Sequence, residues 1–162
     1  MGAMTARALG FAVAVTVWTA ISHLGKLPLL LWPVIIGLAC HVAAGGGVAG
    51  FKKSALGVTS GVIWAMLYVT VSGALGHQPL LDALVLGAAV FGMVYQSRIQ
   101  LLGYTPAVIA SAATSLGALG LRSVTMEGGI RVIVALVIGT AIGYGAEALT
   151  GTILAKAKPR SV

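Results

Sequence analysis

Few residues in this chain have side chains that do chemistry, and most of them lie inside apolar runs. His41 follows Cys40 in the run Val34-Ile35-Ile36-Gly37-Leu38-Ala39-Cys40-His41, and Gly45-Gly46-Gly47 follows after Val42-Ala43-Ala44. An ionisable group at membrane depth points to a substrate or proton pathway. The plainer alternative is a neutral histidine hydrogen-bonded to a neighbouring helix. Adjacent helical positions point about 100° apart, so Cys40 and His41 do not face one ion, and no second His or acid has matching spacing. No metal site is expected. Glu147 stands in the last apolar segment, about 24 Å along a helix from Arg131 at about 1.5 Å per residue. It reads either as a cation or proton site at a pore mouth or as an interfacial ion pair with Lys156 or Arg98. Ser111, Thr114 and Ser115 make a mildly polar stripe at helical spacing. Such hydroxyls either line a path for a polar solute or bond back to their own helix at a tight contact. Trp64 and Tyr68 are candidates to narrow a path, with packing against protein as the alternative. His23 and His77 fall in expected outer loops. No Ser/His/Asp set, carboxylate pair or complete phosphate-binding loop is visible, so no enzyme and no cofactor are expected.

These residues need elements to hold them, and composition says what those elements are. The chain has 162 residues, 59% hydrophobic and 8% charged, with a mean hydropathy of +1.05. Soluble domains carry about 25% charged residues, so lipid must solvate most of this surface. The formal net charge is +7, yet the basic residues lie singly or in small groups between apolar runs. Nucleic acid is therefore not an expected partner. With one cysteine, no disulfide forms within the chain.

Six segments approach the roughly 20 residues that a membrane helix needs: 6–24, 27–44, 54–75, 79–96, 101–119 and 129–154. The first resembles a signal peptide, but the five that follow favour reading it as a span. The expected fold is all-α: a single polytopic transmembrane domain over 1–155, followed by a basic cytoplasmic tail over 156–162. With the N-terminus in the cytoplasm, Arg7, Lys52, Lys53, Arg98, Lys156, Lys158 and Arg160 lie inside, against Lys26, Arg122 and Arg131 outside. That bias puts both termini in the cytoplasm and makes Lys52-Lys53 a basic loop. Gly57-x-x-x-Gly61 and Ala135-x-x-x-Gly139-x-x-x-Gly143 are ridges that let helices approach closely, and they suggest homo-oligomers.

The two halves are alike. Trp32-Pro33 opens a segment that ends in Gly45–Gly47, and Thr105-Pro106 opens one that ends in Gly117–Gly120. An odd number of spans per unit makes two inverted three-helix repeats the candidate plan, with a site near the midplane. Helix breaks leave free backbone groups, which are tolerated only under protein or in a water-filled cavity.

The run from Pro33 through the glycine break to Gly50-Phe51-Lys52 and Ser60-Gly61-Val62-Ile63-Trp64-Ala65 resembles the YcdZ-type bacterial inner-membrane proteins, a family of unknown function. The chain departs from the family pattern at the break. It carries Ala43-Ala44-Gly45-Gly46-Gly47 where the family has Cys-Pro-Gln-Gly-Gly. The resemblance implies a small protein of the bacterial inner membrane and assigns no activity and no site residues.

Two functional readings follow. The first is a passive channel or facilitator in the lipid bilayer for a small, uncharged polar solute, urea- or amide-like. Its pathway would use His41, Gly45, Gly46, Gly47, Trp64, Tyr68, Ser111, Thr114, Ser115, Gly117 and Glu147. The second is a non-transporting membrane subunit or scaffold acting through a partner protein.

Overall fold

Three glycines decide how the first half turns back on itself. Gly45, Gly46 and Gly47 have φ of 90°, 71° and 63°, a region that residues with a Cβ rarely occupy. The chain therefore reverses within those residues, and the next helix begins at once. The computed structural model describes residues 2–26, 31–120 and 125–157. They form six α-helices: α1 Ala3–Leu24, α2 Leu31–Ala43, α3 Gly47–Ala74, α4 Pro79–Tyr95, α5 Thr105–Leu119 and α6 Met126–Ala157. Two 3₁₀ turns, Gln96–Arg98 and Gln100–Leu102, join α4 to α5. No strand is present among the described residues.

Several boundaries differ from the expected ones. α3 starts at Gly47 rather than at 54, so Lys52 and Lys53 sit on a helix instead of in a loop. The tight glycine turn needs no loop residues, and the exposed lysine stems reach outward from the helix surface. α6 starts at Met126, where the Thr125 hydroxyl accepts the Gly128 N–H at 3.1 Å and caps the helix. Lys156 belongs to α6 rather than to a tail, and residues 158–162 of the expected tail lie outside the described residues. α5 starts at Thr105 because residues 100–102 form a 3₁₀ turn.

Among the described residues four helices are long and apolar enough to cross a membrane: Ala3–Leu24, Gly47–Ala74, Pro79–Arg98 and Met126–Lys156. The two shorter apolar helices are Leu31–Ala43 and Thr105–Leu119, the middle helix of each half.

The helices pack in two related sets. α2 lies along α6 and α5 along α3, while α3 and α6 also pack on each other. α1 leans on α6, and α4 leans on α3. Exchanging α1 with α4, α2 with α5 and α3 with α6 maps this set of pairings onto itself. Both close pairs run parallel. Gly37 of α2 faces the Leu136 carbonyl and Gly139 of α6 faces that of Val34; Gly57 and Gly61 of α3 face Ala107 and Val108 of α5. Without side chains at these points the backbones come close enough for dispersion to hold them in lipid. The glycine ridges expected to bring copies together are thus filled within one chain.

Two apolar clusters form the core. Cys40, Val58, Val62, Ala107, Val132 and Leu136 join α2, α3, α5 and α6. Ala65, Tyr68, Val69, Ala89, Met93, Val108 and Ala112 join α3, α4 and α5. α1 buries only Ala6 and Gly10, and its outward residues Leu9, Val13, Val17 and Ile21 are exposed, as lipid contact requires.

Candidate functional site

The end of α2 is where the chemistry-bearing residues of the first half meet those of the second. His41 lies in the last turn of α2 and is 0% exposed. Its ring rests on Gly143 of α6, where any Cβ would stand 2.8 Å from the ring. Its Nε2 lies 3.2 Å from Oε2 of Glu147. The same oxygen accepts the Gly47 N–H at 2.7 Å. Gly46 leaves the space that the Glu147 carboxylate fills. One carboxylate oxygen therefore ties the end of α2 and the first residue of α3 to α6. Tyr144 stands edge-on to the imidazole at 6.3 Å between ring centroids, and Phe51 packs on Tyr144 from α3.

The helix end itself is satisfied. Gly45 N–H donates to the Val42 carbonyl and Gly46 N–H to that of His41, while the buried Ser54 hydroxyl donates to the Cys40 carbonyl at 3.0 Å. Glycine-capped ends of this kind leave few orphaned carbonyls. The Nδ1 of His41 is the exception, being buried without a hydrogen-bond partner.

The sequence places Glu147 near Lys156 or Arg98; the structure pairs it with His41 and Gly47 instead. A signal for this exists in the sequence. Ala135, Gly139 and Gly143 recur every four residues, and Glu147 is the next step. It therefore lies on the face that packs on α2, as His41 lies four residues beyond Gly37.

The other candidates lie elsewhere. Trp64 donates its indole N–H to Gln96 Oε1 at 2.9 Å, as does the Ser60 hydroxyl, and its ring covers Gly92 of α4. Tyr68 packs beside it among Ala89 and Met93. Both belong to the α3–α4 contact, away from His41. Ser111, Thr114 and Ser115 are buried, and each donates to its own helix, to Val108, Ala110 and Ser111 carbonyls respectively. Gly117 faces Trp32 at the start of α2, whereas Gly45–Gly47 follow its end. Each glycine break thus touches the opposite half, at opposite ends of α2. Cys40 belongs to the apolar core. Among the described residues no group of three or more His, Cys, Asp or Glu is placed to hold a metal.

Two features escaped sequence reasoning. Gln96 is the shared acceptor for Ser60 and Trp64. At the α3–α4 turn, Ser72 donates to Asp82 and lies 3.1 Å from His77 Nδ1, with Asp82 Oδ2 at 3.8 Å from that nitrogen. Ser72 and Asp82 meet the same ring nitrogen, so no relay runs through the imidazole; the cluster fastens the turn.

At the start of α2 a cavity of about 350 Å³ opens between α2, α5 and α6, lined by Pro33, Leu119, Glu127, Arg131 and Ala135 among others. Arg131 and Glu127 pair on its rim at 2.5 Å.

A family described as "Protein of unknown function (DUF1097)" matches residues 8–151. An Escherichia coli (strain K12) protein named "Inner membrane protein YcdZ" is 31% identical over 104 residues, which cover 64% of this chain and 61% of that protein. A Salmonella typhimurium (strain LT2) protein of the same name is 28% identical over 104 residues, covering 64% and 62%. The chain spans about three-fifths of the length of the curated relatives it matches. No solved structure matches it.

Proposed function

The chain belongs to the family described as protein of unknown function (DUF1097), and from that premise we propose that it is an inner-membrane facilitator for a small, uncharged polar solute of the urea or amide type. One observation carries this reading. The cavity beside Pro33 and the His41–Glu147 pair lie at the two ends of the same α2–α6 seam. The Gly37–Leu136 and Gly139–Val34 contacts close the seam between them. A pathway occluded in the middle, with polar groups at each end, suits a solute admitted from one side at a time. Among the described residues no Lys, Arg, Asp or Glu is fully buried, which favours an uncharged cargo over an ion.

In this reading α2 and α5 cross the membrane with the four longer helices, as the middle members of two inverted repeats. The self-mapping set of helix pairings supports that plan. Arg7, Lys52, Lys53, Arg98 and Lys156 gather at the end of the bundle that holds His41, which supports assigning that end and both termini to the cytoplasm. The cavity then faces outward. The apolar outer faces of α1 and α4 are assigned to lipid or to a second copy of the chain.

The test is solute-driven swelling of proteoliposomes. Urea, acetamide and formamide should enter vesicles holding the protein faster than empty ones. Equal rates across the panel would sink the reading. The competing reading, a scaffold without transport, draws support from the Ser111, Thr114 and Ser115 hydroxyls. All three are buried and spend their hydrogen on their own helix, so none is left to donate to a solute.

A further inference from the structure

Two glycines clear space for two ionisable groups at one point of the bundle. Gly143 admits the His41 ring and Gly46 admits the Glu147 carboxylate. The result is a buried imidazole whose two nitrogens are treated differently. Nε2 meets Glu147, and Nδ1 is buried without a hydrogen-bond partner. Glu147 Oε2 also accepts the Gly47 N–H, and as an ionised carboxylate it has no hydrogen to give, so toward His41 it is an acceptor. That fixes the tautomer with the proton on Nε2 and a bare lone pair on Nδ1.

We propose that His41 and Glu147 form a proton-binding site that controls the α3 end of the α2–α6 seam: with His41 neutral the seam is closed, and a proton taken up at Nδ1 opens it to water. As regulation of the same pathway, this rests on the facilitator reading, although the site is argued from geometry alone.

The chemistry is a single proton transfer. The proton comes from water and bonds to the Nδ1 lone pair, while Nε2 keeps its hydrogen. The pair then passes from a neutral imidazole beside a carboxylate to an imidazolium beside a carboxylate. The closed geometry offers the new Nδ1–H no acceptor. A buried unpaired donor is costly, and more so when charged. Water reaching Nδ1 removes that cost, so the hydrated state binds the proton more tightly than the closed one. By linkage, lower pH then favours the open state. The moving part is the glycine turn: Gly45–Gly47 are the residues that a change of backbone angle costs least, and Glu147 holds them to α6 through Gly47.

The groups that surround the site agree with this assignment. From α6 they are Glu147 and Tyr144. From α3 they are the Gly47 N–H and Phe51, with Lys52 and Lys53 next along the chain and exposed. Arg7 of α1 lines a shallow groove with Val42, the residue after His41. α5 carries no titratable side chain, and on α2 itself Cys40 turns into the apolar core. Glu147 is thus the group that hydrogen-bonds His41, and Nδ1 is the open position for a proton.

The full chain in lipid nanodiscs tests this through hydrogen exchange at the Gly47 amide, corrected for the intrinsic pH dependence of exchange. Protection should fall at least about tenfold between about pH 7.5 and pH 5. Glu147→Gln keeps an acceptor oxygen for Gly47 and Nε2 but loses the charge that favours imidazolium. Its transition should move down by about one pH unit or more. His41→Gln should show no transition. In parallel, ¹⁵N signals of the wild-type His41 ring should report protonation over the same range as the loss of protection, which decides the matter even where a variant fails to fold. Flat protection, a His41 that stays neutral while Gly47 opens, or a Glu147→Gln transition at the wild-type pH would each overturn the proposal. Vesicle swelling separates the two readings. Lost swelling with a retained Gly47 transition removes the facilitator and keeps the proton site. Retained swelling with flat protection does the reverse.

Discussion

Gly139 of α6 lies on the backbone of Val34 in α2, so close that a methyl group in its place would be driven into the Val34 carbonyl. Three residues along, less than one turn, Gly37 of α2 makes the reciprocal contact with Leu136. These paired approaches hold the α2–α6 seam shut and set the distance at which His41 and Glu147 meet.

Gly139→Ala and Gly37→Ala should therefore separate the two helices. Each is expected to cost about 1–3 kcal/mol, the range for over-packed interiors, read as a lower midpoint in detergent unfolding. Gly87→Ala on α4, where an added Cβ meets nothing within 4 Å, should leave stability unchanged or raise it through better helix propensity. Equal effects at the three positions would mean that the seam is not where the helices are held.

Gly46 differs from its neighbour Gly45 in what surrounds it. Both have positive φ, but Gly46 also combines φ 71° with ψ −169° and abuts the Glu147 carboxylate, whereas Gly45 has open space. Gly46→Ala should cost about 1–3 kcal/mol in backbone strain and displace Glu147, which faster exchange at Gly47 would report. Gly45→Ala should be strained yet leave Gly47 protected. If both variants free Gly47 alike, Glu147 does not hold the turn.

Gln96 serves Ser60 and Trp64 with one oxygen. Gln96→Ala should leave both donors unmatched, at about 1–3 kcal/mol, and free the Trp64 ring from α4. In a chain with Trp18 and Trp32 replaced by Phe, Trp64 emission is expected to shift in the variant. An unaltered spectrum and stability would show that the side chains are held by packing alone.

Ser111 and Ser115 carry the clearest contrast between the two functional readings. Their hydroxyls bond to carbonyls of α5, so Ser111→Ala and Ser115→Ala should change stability by about 1 kcal/mol or less and leave swelling rates as they are. A several-fold fall in solute entry without loss of stability would move the pathway from the α2–α6 seam to α5.

Much of this protein is legible without a structure because lipid is a demanding solvent. With 8% charged residues the chain must be apolar helices, and each backbone must satisfy itself along its own segment. Glycines four apart mark the faces where helices touch, and the glycine run after His41 marks a reversal. These are local properties, and the structure carries all of them. It differs where a local rule had no partner to work with. Lys52 and Lys53 read as loop residues because charges usually flank spans, but the Gly45–Gly47 turn is short enough to start α3 ahead of them. Glu147 reads as an interfacial acid because its own helix offers only Lys156 and Arg131 as landmarks. Its real partners, His41 and the Gly47 N–H, sit on other helices. Trp64 and the Ser111–Ser115 stripe read either as lining or as packing because side-chain type does not say which neighbour a helix turns toward. Which helices lie side by side, and which polar atoms they enclose, is a property of packing across the bundle. That is why composition and spacing alone determined a helical membrane protein with a glycine-broken first half, while only the tertiary structure decided that one buried histidine and one carboxylate close it.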